Sequence, residues 1–452
     1  MKSIFKYLII LISLNSFAGI QQAPPAFLVE DGRAIFVDYT NATYELTYNT
    51  QTRKAWANVH ISFESLESGF PIFDSVNTPS EVLLNGQQVG YGFTPVPGKV
   101  SFVRYAAKEV SPGFHTMTIR TQITEGVKFR RRGVSSGFFI KDLTDRKFLE
   151  RFVVANYEYD QFQMTFYVRI IDPKKTYKVY ANGRIVELRR NHFQITYPSF
   201  YTASSAYFHL APRGKFKEIN FNYKSVNGSV FPVKIYSRYR FRNWRMKRRA
   251  KKVLKELERD YGPWPHPSLL IYGTKLRGGM EYVGATATSL RSLGHELQHS
   301  YFAKGILPAN GNSGWMDEGI ASWRDRGHQS HVKPEYFSWN LGAHNQYTRK
   351  TDDNSYEKGR TFFAYMNYKI KKQGKPGLKD FLRGYFNKRK FTTVTTEDLK
   401  SDLEQYSGLD LTEDFNQYIF GGQAHLNGRS PAVEPNNPHH VDYSEKEINS
   451  IL

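Results

Sequence analysis

His295-Glu296-Leu297-Gln298-His299 sets two imidazoles and a carboxylate within five residues. On a helix, residues four apart share a face, so His295 and His299 would point at one spot with Glu296 beside them. Imidazole suits Zn²⁺, and this H-E-x-x-H spacing supplies two zinc ligands and a neighbouring general base. A catalytic zinc takes three protein ligands and keeps one position for water. The pattern therefore needs a third ligand. Glu318, in Trp315-Met316-Asp317-Glu318-Gly319, follows His299 after eighteen intervening residues and is the candidate. An ordinary charged helix face would show the same five residues, so the reading depends on its company.

The elements that must carry these residues are legible from periodicity. From about 19 to 222 the pattern is β. Tyr44, Leu46 and Tyr48 alternate, as do Ala57, Val59, Ile61 and Phe63, the period-two mark of half-buried strands. Asn85-Gly86 and Asn182-Gly183 sit between apolar runs and read as hairpin turns. Near 223 the character changes. Phe231 to Tyr239 reads as a strand, and Met246, Ala250, Val253, Leu254, Leu257 and Tyr261 then recur at helical spacing. The other face of that helix is crowded with Arg245, Lys247, Arg248, Arg249, Lys251, Lys252 and Lys255, and Gly262-Pro263 ends it. Leu269 to Tyr272 and Val283 to Thr288 read as strands. The H-E-x-x-H helix is expected from about Ser289 to Lys304. A second helix from near Trp315 carries Glu318 and, two turns on, Asp325, which would face the same way. Helices are also expected after Tyr356-Glu357-Lys358-Gly359, over Leu378 to Phe386, Thr396 to Tyr406 and Leu411 to Phe420. From about 424 the chain turns polar, with His439 and His440 in it.

Composition sets the bounds. The 452 residues suffice for two or three domains, and 40% hydrophobic residues suffice for a sizeable core. With no cysteine, disulfides, thiolate metal sites and cysteine nucleophiles are excluded. The net charge of +21 favours acidic partners or surfaces, although no nucleic-acid module is present. Lys2 and Lys6, the apolar run Tyr7 to Leu14 and Ser16-Phe17-Ala18 read as a secretory leader cleaved after Ala18. The mature chain then has no transmembrane segment, and an exported protein, periplasmic or extracellular, is expected. Its basic surface would make weak contact with anionic envelope components.

Four motifs now stand in one order: Gly278-Gly279-Met280-Glu281-Tyr282, His295 to His299, Trp315 to Gly319, and Tyr356 to Gly359. In this the chain resembles, over most of its length, the gluzincin aminopeptidase family that includes membrane alanyl aminopeptidase and leukotriene hydrolase. The resemblance implies a multidomain α+β protein, an N-terminal all-β saddle or sandwich domain followed by a thermolysin-like zinc metallopeptidase domain. The expected organisation is a leader at 1–18, a β domain at 19–222, a catalytic domain at 223–423 and a polar tail at 424–452. It implies that His295, His299 and Glu318 hold one Zn²⁺ and that Glu296 takes a proton from the attacking water. Tyr356 would donate to the oxyanion; a core role is the plain alternative in a chain with 30 tyrosines. Gly278, Gly279, Met280 and Glu281 would bind substrate, with Glu281 pairing the free α-ammonium of a peptide. Asp325 would orient a ligand imidazole or sit solvated.

The sequence departs from the family in several places. Tyr282 stands where many members have Asn. Only thirteen residues separate Glu281 from His295, and 37 separate Glu318 from Tyr356. The family's long C-terminal helical domain has no counterpart here, which implies a more open site. An amine-binding residue from the β domain is sought between Asp145 and Glu150. The expected function is an exported zinc aminopeptidase. Its rivals are a zinc endopeptidase on the same scaffold and a non-catalytic envelope-binding protein.

Overall fold

Half-buried alternation becomes sheet. Asp38–Asn49 buries Ala42, Tyr44, Leu46 and Tyr48, and Lys54–Ser65 buries Ala55, Ala57, Val59, Ile61 and Phe63. The two strands pair antiparallel with Tyr44 opposite Val59 and Leu46 opposite Ala57, so the apolar rows meet across the ladder. They are central in an eight-stranded sheet ordered Arg184–Arg189, His192–Thr196, Gln163–Ile171, Asp38–Asn49, Lys54–Ser65, Gly113–Gln122, Pro79–Leu84, Gln87–Gln88. A four-stranded sheet of Val127–Arg130, Gly133–Phe138, Phe208–Pro212 and Tyr177–Ala181 closes over it. Val134, Phe138, Tyr177, Phe208 and Leu210 join Tyr44, Leu46 and Phe166 in one core. The structure, a computed structural model, describes residues 23–452 apart from 100, 140–147, 159, 310, 312, 335–338, 343–345, 348–350, 352 and 422–444. The expected leader and the His439-His440 pair lie outside the described residues.

The two Asn-Gly pairs behave differently. Asn85 (φ 51°) and Gly86 (φ 79°) make the hairpin between Pro79–Leu84 and Gln87–Gln88, as expected of a two-residue turn with both φ positive. Asn182-Gly183 is not a hairpin. The strand before it pairs with Phe208–Pro212, and the strand after it with His192–Thr196, in a different sheet. The Asn182 side chain is a buried brace: it donates to the carbonyls of Ser205 and Val283 at 2.8 and 2.7 Å and accepts from the Tyr207 N–H at 2.8 Å.

The second half is a five-stranded sheet ordered Lys217–Lys224, Val230–Ser237, Leu269–Gly273, Ala285–Thr288, Gly279–Tyr282. Three central strands run parallel, and Gly279–Tyr282 lies antiparallel at the edge. Helix α1 (Arg240–Tyr261) buries Met246, Ala250, Val253, Leu254 and Leu257 on this sheet. Helices α2 (Leu293–Gln298), α3 (Met316–Asp325), α4 (Glu357–Lys372), α5 (Leu378–Arg389), α6 (Thr396–Ser407) and α7 (Thr412–Tyr418) complete the layer. Ser407 is followed by Gly408 in the left-handed region at φ 74°, the stop that the glycine supplies. The polar tail returns as α8 (Glu445–Ile451). Ile448, Ile451 and Leu452 are buried beside Tyr236, Tyr272 and Phe216 in an aromatic cluster between the sheets.

One expected element is much shorter. The H-E-x-x-H helix covers six residues rather than the stretch from Ser289 to Lys304. After Gln298 the backbone bonds become mixed, with Tyr301 N–H to Gln298 O at 2.9 Å and Lys304 N–H back to His299 O at 2.9 Å. Ala303 takes φ 138°. The chain folds back under the helix end instead of continuing it.

Candidate active site

Helix α2 is enclosed by three elements that each deliver one part of the site. On the edge strand Gly279–Tyr282, successive side chains point to opposite faces. Met280 and Tyr282 are turned into the aromatic cluster; Tyr282 packs edge-on to Tyr207 with ring centroids 5.0 Å apart. Met280 therefore offers this site its backbone and not its side chain. Gly279 and Glu281 occupy the other face, against α2. A methyl group on Gly279 would lie 2.6 Å from the Glu296 side chain, so the glycine is what lets Glu296 pack flat against the strand. The neighbouring Gly278 adopts φ 72° and its carbonyl accepts from the Ser289 N–H at 3.0 Å.

The third candidate ligand comes from α3, and its position depends on two anchors. The Trp315 indole N–H donates to Thr396 Oγ1 at 3.0 Å, and its ring stacks on Phe363 at 5.3 Å. Gly319 of α3 and Gly359 of α4 then touch. A Cβ on Gly359 would lie 2.9 Å from the Gly319 Cα, and one on Gly319 would lie 3.1 Å from the Gly359 Cα. The glycines of the two W-x-x-E-G and Y-E-K-G segments thus allow one close helix crossing. That crossing puts the Tyr356 hydroxyl 3.0 Å from Glu318 Oε1, to which it donates.

His295, His299 and Glu318 are all buried, and their candidate ligand atoms lie within 4.8 Å of one another. Glu318 Oε2 is 3.0 Å from His295 Nε2 and 3.5 Å from His299 Nε2. Asp325 Oδ2 sits 2.8 Å from His295 Nδ1. A proton held there by the carboxylate leaves Nε2 facing Glu318. Two turns of α3 thus use both carboxylates on the same imidazole. Arg324 fixes Asp325 at 2.9 Å and ties it to Glu256 of α1 at 2.8 Å. His299 Nδ1 faces the Phe302 carbonyl at 3.3 Å and Asp317 at 3.8 Å.

The protonation pattern is that of a site built around positive charge. Burial opposes the His295 imidazolium, but hydrogen bonds to Asp325 and Glu318 outweigh it and hold the group well above its ordinary range. Burial likewise opposes the charge on His299, and Glu318 overrides it, raising the group to about 10. For Glu318 the pull of both histidines overcomes burial and keeps the carboxylate ionised. Glu296 is different. Burial pushes its carboxyl up to about 8, against the opposing pull of His295 and His299.

Sequence reasoning missed a neighbour of Glu281. Lys304, five residues past His299, lies with its Nζ 3.5 Å from Glu281 Oε1. It also donates to Ser204 Oγ at 3.2 Å and lies 5.4 Å from the Phe148 ring centroid. Of the stretch from Asp145 to Glu150 expected to supply an amine-binding residue, 145–147 fall outside the described residues. Phe148 is this ring, and Glu150 is buried with its carbonyl accepting from the Val76 N–H at 2.9 Å.

No family model matches the sequence. Solved structures do share the fold. An M1 zinc metallopeptidase variant from Deinococcus radiodurans, bound to a Tyr-Ser-Ala substrate, superposes with a TM-score of 0.62 at 15% identity, covering 88% of this chain and 96% of that one. Native leukotriene A4 hydrolase from Saccharomyces cerevisiae gives 0.64 at 15% identity, covering 87% of this chain and 69% of that one. The yeast enzyme with bestatin gives 0.62 at 14%.

Proposed function

We propose that this chain, built on the two-domain fold of the M1 zinc metallopeptidases, is a zinc-dependent peptidase. The observation that carries the reading is the buried trio His295, His299 and Glu318, converging within 4.8 Å with Asp325 bonded to the far nitrogen of His295. Two imidazoles and one carboxylate, with an acceptor behind a ligand, fit a catalytic zinc. When bound, Zn²⁺ supplies Lewis acidity and lowers the pKa of water towards neutrality. The remaining work belongs to the chain's own groups. Glu296, packed on Gly279 and outside the ligand trio, takes a proton from the attacking water and passes it to the leaving amine. The Tyr356 hydroxyl, resting on Glu318, turns to donate to the developing oxyanion. Gly279–Tyr282 lies at the edge of its sheet, the position at which an extended peptide would add as a further strand.

Removal of N-terminal residues is the mode the family resemblance implies, and it requires Glu281 to be available to an α-ammonium. Internal cleavage is the second reading, favoured by the Glu281–Lys304 pair. Hydrolysis of peptides by the chain lacking 1–18, assayed with a chelator and with zinc added back, tests the activity itself. Hydrolysis lost to the chelator and restored by zinc is expected. Hydrolysis untouched by chelation, or absent with stoichiometric zinc, would sink the reading.

Export and envelope contact are part of the same proposal. Residues 1–18 support the first. The second is supported by α1, whose basic face carries exposed Phe241 and Trp244, with Arg245 6.0 Å from one ring and Arg248 4.9 Å from the other. Aromatic and basic groups together suit an anionic surface. Cell fractionation should find a form beginning at Gly19 outside the cytoplasm, released from the envelope by salt because screening weakens surface charge. Retention in the cytoplasm would count against both.

A further inference from the structure

We propose that Lys304 is a resident cation that occupies the amine-reading carboxylate, so that this site accepts peptides lacking a free α-ammonium. The inference rests on the peptidase reading above and concerns which substrates that site takes. Glu281 shares a strand face with Gly279, on which the Glu296 side chain packs. It is the carboxylate that the family resemblance assigns to an incoming α-ammonium. A carboxylate so enclosed, if unmatched, selects a cation strongly, because an uncompensated buried charge is costly. Here it is matched beforehand. Lys304 Nζ lies 3.5 Å away.

Lys304 is not a surface chain that has swung inward. The backbone delivers it: Ala303 at φ 138° and the Lys304 N–H bonded to the His299 carbonyl fold the segment back beneath α2. The residue is 2% exposed. Ser204 Oγ and the Phe148 ring, both from the β domain, complete its surroundings, and an ammonium over an aromatic face is itself favourable. An arriving α-ammonium would have to share Glu281 with this lysine or displace it. Sharing brings two like charges together, and displacement strands a buried ammonium. A neutral acylated N-terminus, or the interior of a longer peptide, meets neither penalty. The pair thus removes the reward for a free amine while leaving the zinc ligands, Glu296 and Tyr356 as they are.

The test is Lys304→Met, with Lys304→Gln as a second variant that keeps a group able to reach Ser204. Zinc-loaded protein is given peptide pairs identical except for N-terminal acetylation. The parent should hydrolyse both members with kcat/KM values within about tenfold. Each variant should shift the ratio towards the free amine by about tenfold or more, mainly through KM, the size expected for exposing one buried charge to a partner. A parent that cleaves only free-amine peptides would overturn the proposal. So would variants, folded by circular dichroism, whose ratio matches the parent's. Failure of the peptidase reading gives a different result, with no hydrolysis of either member. The lysine is then decided by NMR titration with leucinamide and N-acetyl-leucinamide, which needs no turnover. Lys304→Met should gain affinity for the free amine alone, and equal affinities in parent and variant would refute the role.

Discussion

Glu296→Gln should lower kcat for peptide hydrolysis by about 10²–10⁴-fold, the range of a positioned general base, with zinc content unchanged. The substitution is close to isosteric. The side chain lies flat on Gly279, where even a methyl group would be 2.6 Å away, and an amide fits the same slot. Glutamine keeps a carbonyl oxygen but cannot take the proton. Glu296 lies outside the trio that could hold a metal, so metal analysis of the variant should match the parent. A loss of zinc along with activity would instead make Glu296 a ligand or a support for one. The same variant carries a stability signature in the metal-free protein. The Glu296 carboxyl rises from 4.5 to about 8 on folding because burial disfavours its charge. The folded state therefore binds a proton that the unfolded state has released across that window. Its contribution to stability declines as pH rises from near 4.5 towards 8. Glutamine has no proton to lose. The metal-free variant should gain in melting temperature relative to the parent as pH rises through that window, and a difference independent of pH would contradict the buried-carboxyl argument.

The candidate catalytic motifs were readable because their spacing is local. Two histidines four apart, and Glu318 seven residues before Asp325, need only helical periodicity to share a face. The structure does bring both carboxylates to His295. The strands around Tyr44 and Val59 were readable for a similar reason: one face of the sheet is buried, and alternation records it. What escaped reading depends on contacts between distant segments. Asn182-Gly183 has hairpin composition, but the pairing partners of its flanking strands lie in different sheets, and its buried side chain is bonded to Ser205, Tyr207 and Val283. The shortness of α2 follows from the mixed backbone bonding after Gln298, and the chain then turns back at Ala303, a residue type that gives no sign of positive φ. Lys304 was invisible because its partner lies 23 residues upstream (304 against 281) and its other neighbours belong to the β domain. Ile448, Ile451 and Leu452 fall in a stretch that reads as a polar tail, since three apolar residues among polar ones carry no period.

His299→Ala should remove zinc binding and with it hydrolysis, down to the level of chelated protein, and the proton count of zinc binding should change in a way that identifies the cause. In the metal-free protein the His299 imidazole is raised to about 10, and His295 is also held protonated by Asp325 and Glu318. These cations are what the Glu318 carboxylate leans on. A metal ligand must be neutral, so at pH 7 zinc has to expel protons from the site as it enters. Zinc affinity of the parent should therefore rise with pH through neutrality, with about two protons released per metal. Calorimetry in buffers of different ionisation enthalpy counts them. His299→Ala should bind zinc weakly and release about one fewer, because one imidazolium is gone. Zinc should raise the melting temperature of the parent, by about 2.7 kcal/mol of stabilisation at a hundredfold excess over Kd, and should leave the variant's nearly unchanged. Removing the histidine also takes a countercharge from Glu318, so the metal-free variant should itself be less stable than the metal-free parent. A zinc affinity that did not vary with pH would mean that both imidazoles are neutral before metal arrives. The ion pairs at 3.0 and 3.5 Å to Glu318 would then be hydrogen bonds between a carboxylate and neutral rings, and the site would not be one organised around positive charge.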